Sequence, residues 1–265
     1  MKKDFHLTVL GARGSMAACR DDCIAFGGDT SCYMVQAGEN TIFLDGGSGL
    51  ASAPAVYPKP PVVLLSHLHL DHIMGLGMFT GFFVPGQRAK VFVPFCKDDE
   101  SAGNVMARVF SPPVWPLKLS DLEGKPEILA LPEKLSVGDV QIETMEGNHP
   151  NRTMVYRLNY DGRSIVYATD YEVNDSTFSR LAEFAAGTDL LLYDAQFTEE
   201  EYPGKRGFGH STAQQGMELM WRSRAKRLLL IHHAPSSSDA ILAKREKLLS
   251  RINVLYAWEG EVLEI

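Results

Sequence analysis

The chain has 265 residues, 45% of them apolar and 22% charged, enough for a large buried core and ordinary for a soluble globular protein. Its formal net charge is −7, and basic residues gather only in Arg222, Arg224, Lys226 and Arg227, so a groove that binds nucleic acid by neutralising phosphates is not expected. No apolar run approaches the ~20 residues that span a bilayer, the first residues lack the apolar stretch of a secretory signal, and Cys19, Cys23, Cys32 and Cys96 are too scattered for a disulfide framework; a cytoplasmic protein with one domain over residues 1–265 is expected.

Apolar stretches of strand length come first at residues 5–10, 32–36, 41–44, 62–65 and 90–93, joined by Gly- and Asp-rich turns such as Asp45-Gly46-Gly47. The segment Gly11-Ala12-Arg13-Gly14-Ser15 lacks the spacing of a dinucleotide-binding loop and no helical pattern follows it, so it reads as a turn beneath the site. A helical pattern covers 100–110. Residues 110–125 contain Ser111-Pro112-Pro113-Val114-Trp115-Pro116, whose prolines exclude helix and central strand, and read as a loop. Strands are then predicted at 140–145, 153–158, 164–168, 189–193 and 227–231, and helices at 176–185, 212–222 and 240–251, the second of these opening on the capping residues Ser211 and Thr212. This order favours two sheets packed face to face with helices outside.

The chemistry concentrates directly after the stretch 62–65, in Ser66-His67-Leu68-His69-Leu70-Asp71-His72. Histidines at i and i+2 of a strand end fall on one side of the chain, and the following turn can bring Asp71 and His72 to a neighbouring point. Such a cluster is poor core material. Imidazole and carboxylate are, however, the ligands that Zn²⁺ and similar divalent ions accept. Further candidates stand at strand ends: His149 in Gly147-Asn148-His149-Pro150, Asp170 after Thr169, and His232 after Ile231.

The pattern H-x-H-x-D-H, then a lone His, a strand-end Asp and a final His resembles the metallo-β-lactamase superfamily over essentially the whole chain. The resemblance implies an α/β fold, an αββα sandwich of two mixed β-sheets with helices on the outer faces. It also implies a dinuclear centre in which His67, His69 and His149 hold one metal, Asp71, His72 and His232 hold the other, and Asp170 bridges them. Position 69 is His where the diiron oxygen-reducing branch has Glu, which points to hydrolysis. Gly207-Phe208-Gly209-His210-Ser211-Thr212 is similar to the ribonuclease Z and cyclic-nucleotide phosphodiesterase-like branch, as are Phe26-Gly27-Gly28-Asp29-Thr30-Ser31-Cys32 and His232-His233-Ala234-Pro235. Asp29 stands where those relatives carry Asn, and Cys19 and Cys23 are additions.

The implied activity is a phosphodiesterase acting on a small phosphodiester or cyclic nucleotide. Two divalent ions, zinc or alternatively manganese or iron, would acidify a bridging water that attacks phosphorus. His210 would protonate the leaving oxygen, and Asp71 is the other residue expected to take part in catalysis. Competing readings are a tRNA 3′-end endonuclease, a lactonase or other ester hydrolase, and a non-catalytic metal-binding sensor. The endonuclease is disfavoured because only residues 150–169 separate His149 from Asp170, which leaves no place for the basic arm such enzymes carry there. The expected partner is a small-molecule phosphodiester, with neither a membrane nor a nucleic acid, and a homodimer is compatible with the sequence.

The remaining polar residues divide between function and structure. His6 reads as structural, whereas His233 reads equally as a pocket-edge or a structural residue. Lys205 and Arg206 read as solvated loop, with phosphate binding as the alternative. Phe110 and Trp115 read as packing, with pocket lining as the alternative. Cys19 and Cys23 lack the second pair that a zinc site needs, and Asp194 suits equally the orientation of a histidine and a turn or helix cap.

Overall fold

A computed structural model describes residues 3–249 and 253–265. The first sheet takes β1 (Phe5–Gly11), β2 (Cys32–Ala37), β3 (Asn40–Leu44), β4 (Val62–Leu64), β5 (Lys90–Val93) and β6 (Glu127–Ala130). The second takes β7 (Leu135–Val137), β8 (Val140–Gly147), β9 (Thr153–Tyr160), β10 (Arg163–Ala168), β11 (Leu190–Asp194), β12 (Leu228–Ile231) and β13 (Val254–Tyr256). The last strand, β14 (Val262–Glu264), returns to the first sheet and pairs with β1.

The strand orders are β14-β1-β2-β3-β4-β5-β6 and β13-β12-β11-β10-β9-β8-β7. Each sheet is half antiparallel and half parallel: pairing is antiparallel from β14 to β3 and from β7 to β10, and parallel from β3 to β6 and from β10 to β13. The division follows the connections. Two-residue turns such as Asp161-Gly162 suffice between antiparallel neighbours, whereas parallel neighbours need the long crossovers that carry helices. The helices are α1 (Leu70–Ile73), α2 (Asp99–Ala107), α3 (Asp175–Phe184), α4 (Ala213–Ser223) and α5 (Asp239–Leu249).

Burial explains the layering. β1 alternates buried and half-buried residues, turning Phe5, Leu7 and Val9 inward, as expected of an antiparallel strand with one covered face. β10, β11 and β12 are buried at every position and so need cover on both faces. Between the sheets, Leu7, Val35 and Leu44 meet Leu158, Tyr167 and Ile231 in one cluster. Outside the first sheet, Phe43, Val63 and Val91 pack with Phe79, Phe82 and Met106 of the α2 side. Outside the second, Val166, Leu191 and Leu230 lie under Leu181 of α3, Leu219 of α4 and Leu242 of α5. The result is the αββα order expected from the sequence. Phe43 shows what one layer is worth: its ring meets Phe79 at 5.4 Å and Tyr57 at 5.9 Å, and truncation to Ala would cost about 3–5 kcal/mol.

The loop predicted at 110–125 is irregular apart from one helical turn, Leu119–Asp121. Trp115 lies over Gly77, where a Cβ would overlap the indole. Among the described residues no helix is long and apolar enough to cross a membrane.

Candidate metal centre

The candidate residues meet along one edge of the sandwich because strands from both sheets end there. His67 follows β4, His149 follows β8, Asp170 follows β10, Asp194 closes β11 and His232 follows β12. Asp45, Asp170 and His232 stand at φ +62°, +48° and +60°, a left-handed conformation that side chains other than glycine rarely adopt. Strain of ~1–3 kcal/mol per residue persists where the surroundings over-determine the turn, and such residues cluster at functional sites.

Two cradles share one carboxylate. On one side the ring centroids of His67 lie 4.4 Å from His69 and 4.9 Å from His149, and Asp170 Oδ2 is 3.7 Å from the Nε2 atoms of His67 and His149. On the other, the Nε2 atoms of His72 and His232 each lie 3.2 Å from Asp71 Oδ2 and 3.2 Å from Asp170 Oδ1. Asp170 thus turns one oxygen to each set. Donor atoms of His67, His69, His149 and Asp170 fall within 4.8 Å of one another, as do those of Asp71, His72 and His232. The nitrogens fit a pair of divalent cations: His67 Nε2 and His72 Nε2 are buried without a hydrogen-bond partner, which is costly for a polar atom unless a ligand takes it up.

The opposite ring nitrogens are fixed by hydrogen bonds. His72 Nδ1 lies 2.7 Å from Asp45 Oδ2, and His67 Nδ1 lies 3.0 Å from Ser66 Oγ, which itself donates to Asp45 Oδ2 at 2.7 Å. Tyr167 Oη donates to the same carboxylate at 2.6 Å, and the Ser66 amide donates to Asp45 Oδ1 at 2.6 Å. A proton held on Nδ1 leaves Nε2 as the lone pair that faces the cradle. His149 Nδ1 is held by the Gly209 carbonyl at 2.9 Å, and Asp71 Oδ2 accepts from the Ser15 amide at 2.7 Å. The turn at 11–15 therefore does lie against the centre. Gly14 sits there because a Cβ would overlap the His232 ring.

Electrostatics separates the histidines. Burial lowers the pKa of His67, His69 and His149, which favours the neutral, ligating form. Burial also opposes a charge on His72, but the carboxylates of Asp170, Asp71 and Asp45 outweigh it and hold its pKa well above the usual range. Burial likewise opposes protonation of His210, yet Asp194, 2.7 Å from its Nδ1, raises its pKa to about 9. His210 stacks on His232 at 4.8 Å and lies 3.9 Å from Asp170 Oδ2.

The other predicted residues sort plainly. Asp194 orients His210 and also accepts the Gln196 and Ser211 amides at 3.0 and 3.2 Å. His233 points away: Nε2 contacts the Ala257 carbonyl at 2.7 Å, and burial lowers its pKa to about 3. His6 pairs with Asp4 at 3.0 Å near the start of β1. Phe110 is core and Trp115 packs on it at 6.0 Å. Lys205 and Arg206 are exposed, Lys205 lying over the Phe208 ring at 5.3 Å. Cys19 is exposed, Cys23 is buried, and among the described residues neither joins a group of metal-ligating side chains. Asp45, Tyr167 and Glu172 were not singled out from the sequence. A carboxylate directly after the fully buried β3 was the available signal for Asp45.

Comparisons with known proteins identify the family and the fold. The family model of the β-lactamase superfamily domain matches residues 40–233. The chain is 25% identical over 244 residues to a ribonuclease Z of Ignicoccus hospitalis, covering 78% of this chain and 79% of the relative. It is 24% identical over 267 residues to the probable metallo-hydrolase YhfI of Bacillus subtilis, covering 96% and 99%. The crystal structure of that Bacillus protein superposes with a TM-score of 0.73 at 21% identity over 100% of both chains. A diphosphatase from the PhnP family superposes with a TM-score of 0.71 at 19% identity over 98% of both.

Proposed function

The chain belongs to the β-lactamase superfamily and is a metallo-hydrolase of it, and from that premise we propose that it is a two-metal phosphodiesterase acting on small phosphodiesters or cyclic nucleotides. The observation that carries this reading is the Asp194–His210 pair beside Asp170. Ions in the two cradles, for which the nitrogen and oxygen donors favour zinc, would acidify a water and neutralise charge on the phosphoryl oxygens. The protein's own part is to place the reacting groups and supply a proton. The water gives up one proton to solvent as its oxygen bonds to phosphorus, the phosphorus–alkoxide bond breaks, the alkoxide takes a proton from His210, and His210 regains one from solvent. Asp194 beside Nδ1 favours the protonated ring, the form that can give up that proton. Asp194 holds Nδ1 at 2.7 Å, so Nε2 is the atom left to donate.

A small substrate is favoured over a structured RNA by charge and by the chain between the ligands. The protein is acidic, and residues 150–169 are occupied by the β9–β10 hairpin and its short approach, with no added arm. The test is a screen of metal-loaded protein against bis-p-nitrophenyl phosphate, cyclic nucleotides, a lactone and a tRNA precursor. Diester turnover with little monoesterase activity and weak tRNA cleavage is expected. Efficient lactone opening without phosphodiester turnover would refute the proposal.

A further inference from the structure

Glu172 lies beyond the two cradles, two positions after Asp170, on the irregular segment that leaves β10. Its backbone is tied to the residue preceding His149: the Glu172 amide donates to the Asn148 carbonyl at 2.9 Å, and Asn148 Nδ2 donates to the Glu172 carbonyl at 2.8 Å. Its carboxylate reaches across to the segment that bears His210. The Gly207 amide donates to Oε1 and Oε2 at 2.8 and 2.9 Å, and the Gly209 amide donates to Oε2 at 2.8 Å.

Those two amides converge because Gly207 and Gly209 both stand at φ +87°, which bends the segment around the carboxylate. The bend also fixes the Gly209 carbonyl, which receives His149 Nδ1 at 2.9 Å. Contact is so close that a Cβ at Gly209 would overlap the His149 ring. One residue on, His210 is positioned between Asp194 and the His232 ring. A glycine-flanked segment left to itself samples many conformations. Charge-assisted bonds to its amides select one.

We infer that Glu172 is a positioning residue: by clamping residues 207–209 it sets the Nδ1–H tautomer of His149 and the place of His210. Its carboxylate is outside both cradles and acts through the Gly207 and Gly209 amides. The inference rests on the proposed function only for the consequence at His210. Its consequence at His149 is independent of any activity.

The test compares wild type with Glu172→Ala and Glu172→Gln, the latter keeping one oxygen that can accept both amides. The first reading is activity-free: ¹⁵N-resolved ring signals of His149 and exchange of the Gly207 and Gly209 amides. Glu172→Ala should give a mixture of His149 tautomers, at least about tenfold faster exchange at both amides, and about 10- to 100-fold weaker binding of one Zn²⁺, the range for loss of an outer-shell support. Glu172→Gln should recover part of each. The second reading is the rate with alkoxide against p-nitrophenolate leaving groups, where Glu172→Ala should lose more on the alkoxide because the donor is misplaced. Unchanged tautomer, exchange and zinc affinity in a folded Glu172→Ala protein would overturn the inference. So would a general loss of thermal stability with no selective change at His149. Absence of phosphodiesterase activity in the wild type would count against the proposed function alone and leave the first reading intact.

Discussion

Replacing Asp45 with Asn tests whether a residue that touches no metal governs the centre. Asp45 Oδ2 accepts His72 Nδ1, Ser66 Oγ and Tyr167 Oη at 2.7, 2.7 and 2.6 Å, and Oδ1 accepts the Ser66 amide at 2.6 Å. Asn has the same shape but makes one of these two terminal atoms a donor. If its oxygen keeps the Ser66 amide, its NH₂ faces the three groups at Oδ2. The hydroxyls can rotate to accept, but His72 can accept at Nδ1 only by moving its proton to Nε2. That removes the lone pair facing Asp71 and Asp170. The expected loss is about 10- to 100-fold in affinity for one metal ion, or ~1.4–2.8 kcal/mol. Asp45→Ala should be worse, because it strands buried donors at ~1–3 kcal/mol each and so destabilises the metal-free protein as well. Competition with a chromophoric chelator gives the affinities, and thermal unfolding of the metal-free proteins separates binding from stability. An Asp45→Asn protein that binds two ions with wild-type affinity would refute the reasoning.

Three further substitutions probe other parts of the site and fold. His210→Ala should keep both metals but lose about 10²- to 10⁴-fold in kcat on alkoxide-leaving diesters, with a smaller loss on p-nitrophenolate; equal losses on both would assign the ring to charge stabilisation instead. Asp170→Ala should lower metal content at both positions, measured by elemental analysis, because its two oxygens face different histidine sets; loss of one ion alone would contradict a shared carboxylate. Glu261 is buried, which raises its pKa to about 7, and its Oε2 lacks a partner. Since the folded pKa exceeds the ordinary 4.5, the folded state keeps a proton that the unfolded chain has released, and stability falls as pH rises from about 4.5 to about 7. Glu261→Gln should therefore gain Tm relative to wild type at pH 8 compared with pH 5, and parallel pH profiles would show that Glu261 titrates normally.

The long central strands and the four longer helices were legible because each carries its own period of apolar residues. The strands β6, β7, β13 and β14 were not. β7, β13 and β14 have three residues each, and β6 is half-buried throughout, so none carries enough alternation to be read alone; they exist because a neighbouring strand offers free backbone groups. Helix α1 was hidden for a similar reason, being a single turn within the H-x-H-x-D-H motif. Residues 250 and 251, the predicted end of the last helix, lie outside the described residues. At the centre, histidines declared themselves by type and spacing. Their supports did not: Asp45 resembles an ordinary turn residue, Tyr167 an ordinary strand residue and Glu172 an ordinary loop acid. Their roles arise from partners 27, 122 and 35 positions away.

The residues of the two cradles, from His67 to His232, are brought together by strands drawn from most of the chain's length, which has a consequence for synthesis. His67 and His232 are separated by roughly 165 residues. At ~5–20 residues per second, roughly 10–30 s pass between their appearance on a ribosome. Throughout that interval the emerging segment 67–72 already offers three imidazoles and a carboxylate, while β12, whose end positions His232, has not been made. A cation caught early would be held by half a shell, exposed to exchange, and the parallel ladder β10-β11-β12 must form before it is enclosed. The centre is thus completed only once β12 has been made, and metal retention becomes a record of whether the second sheet has closed.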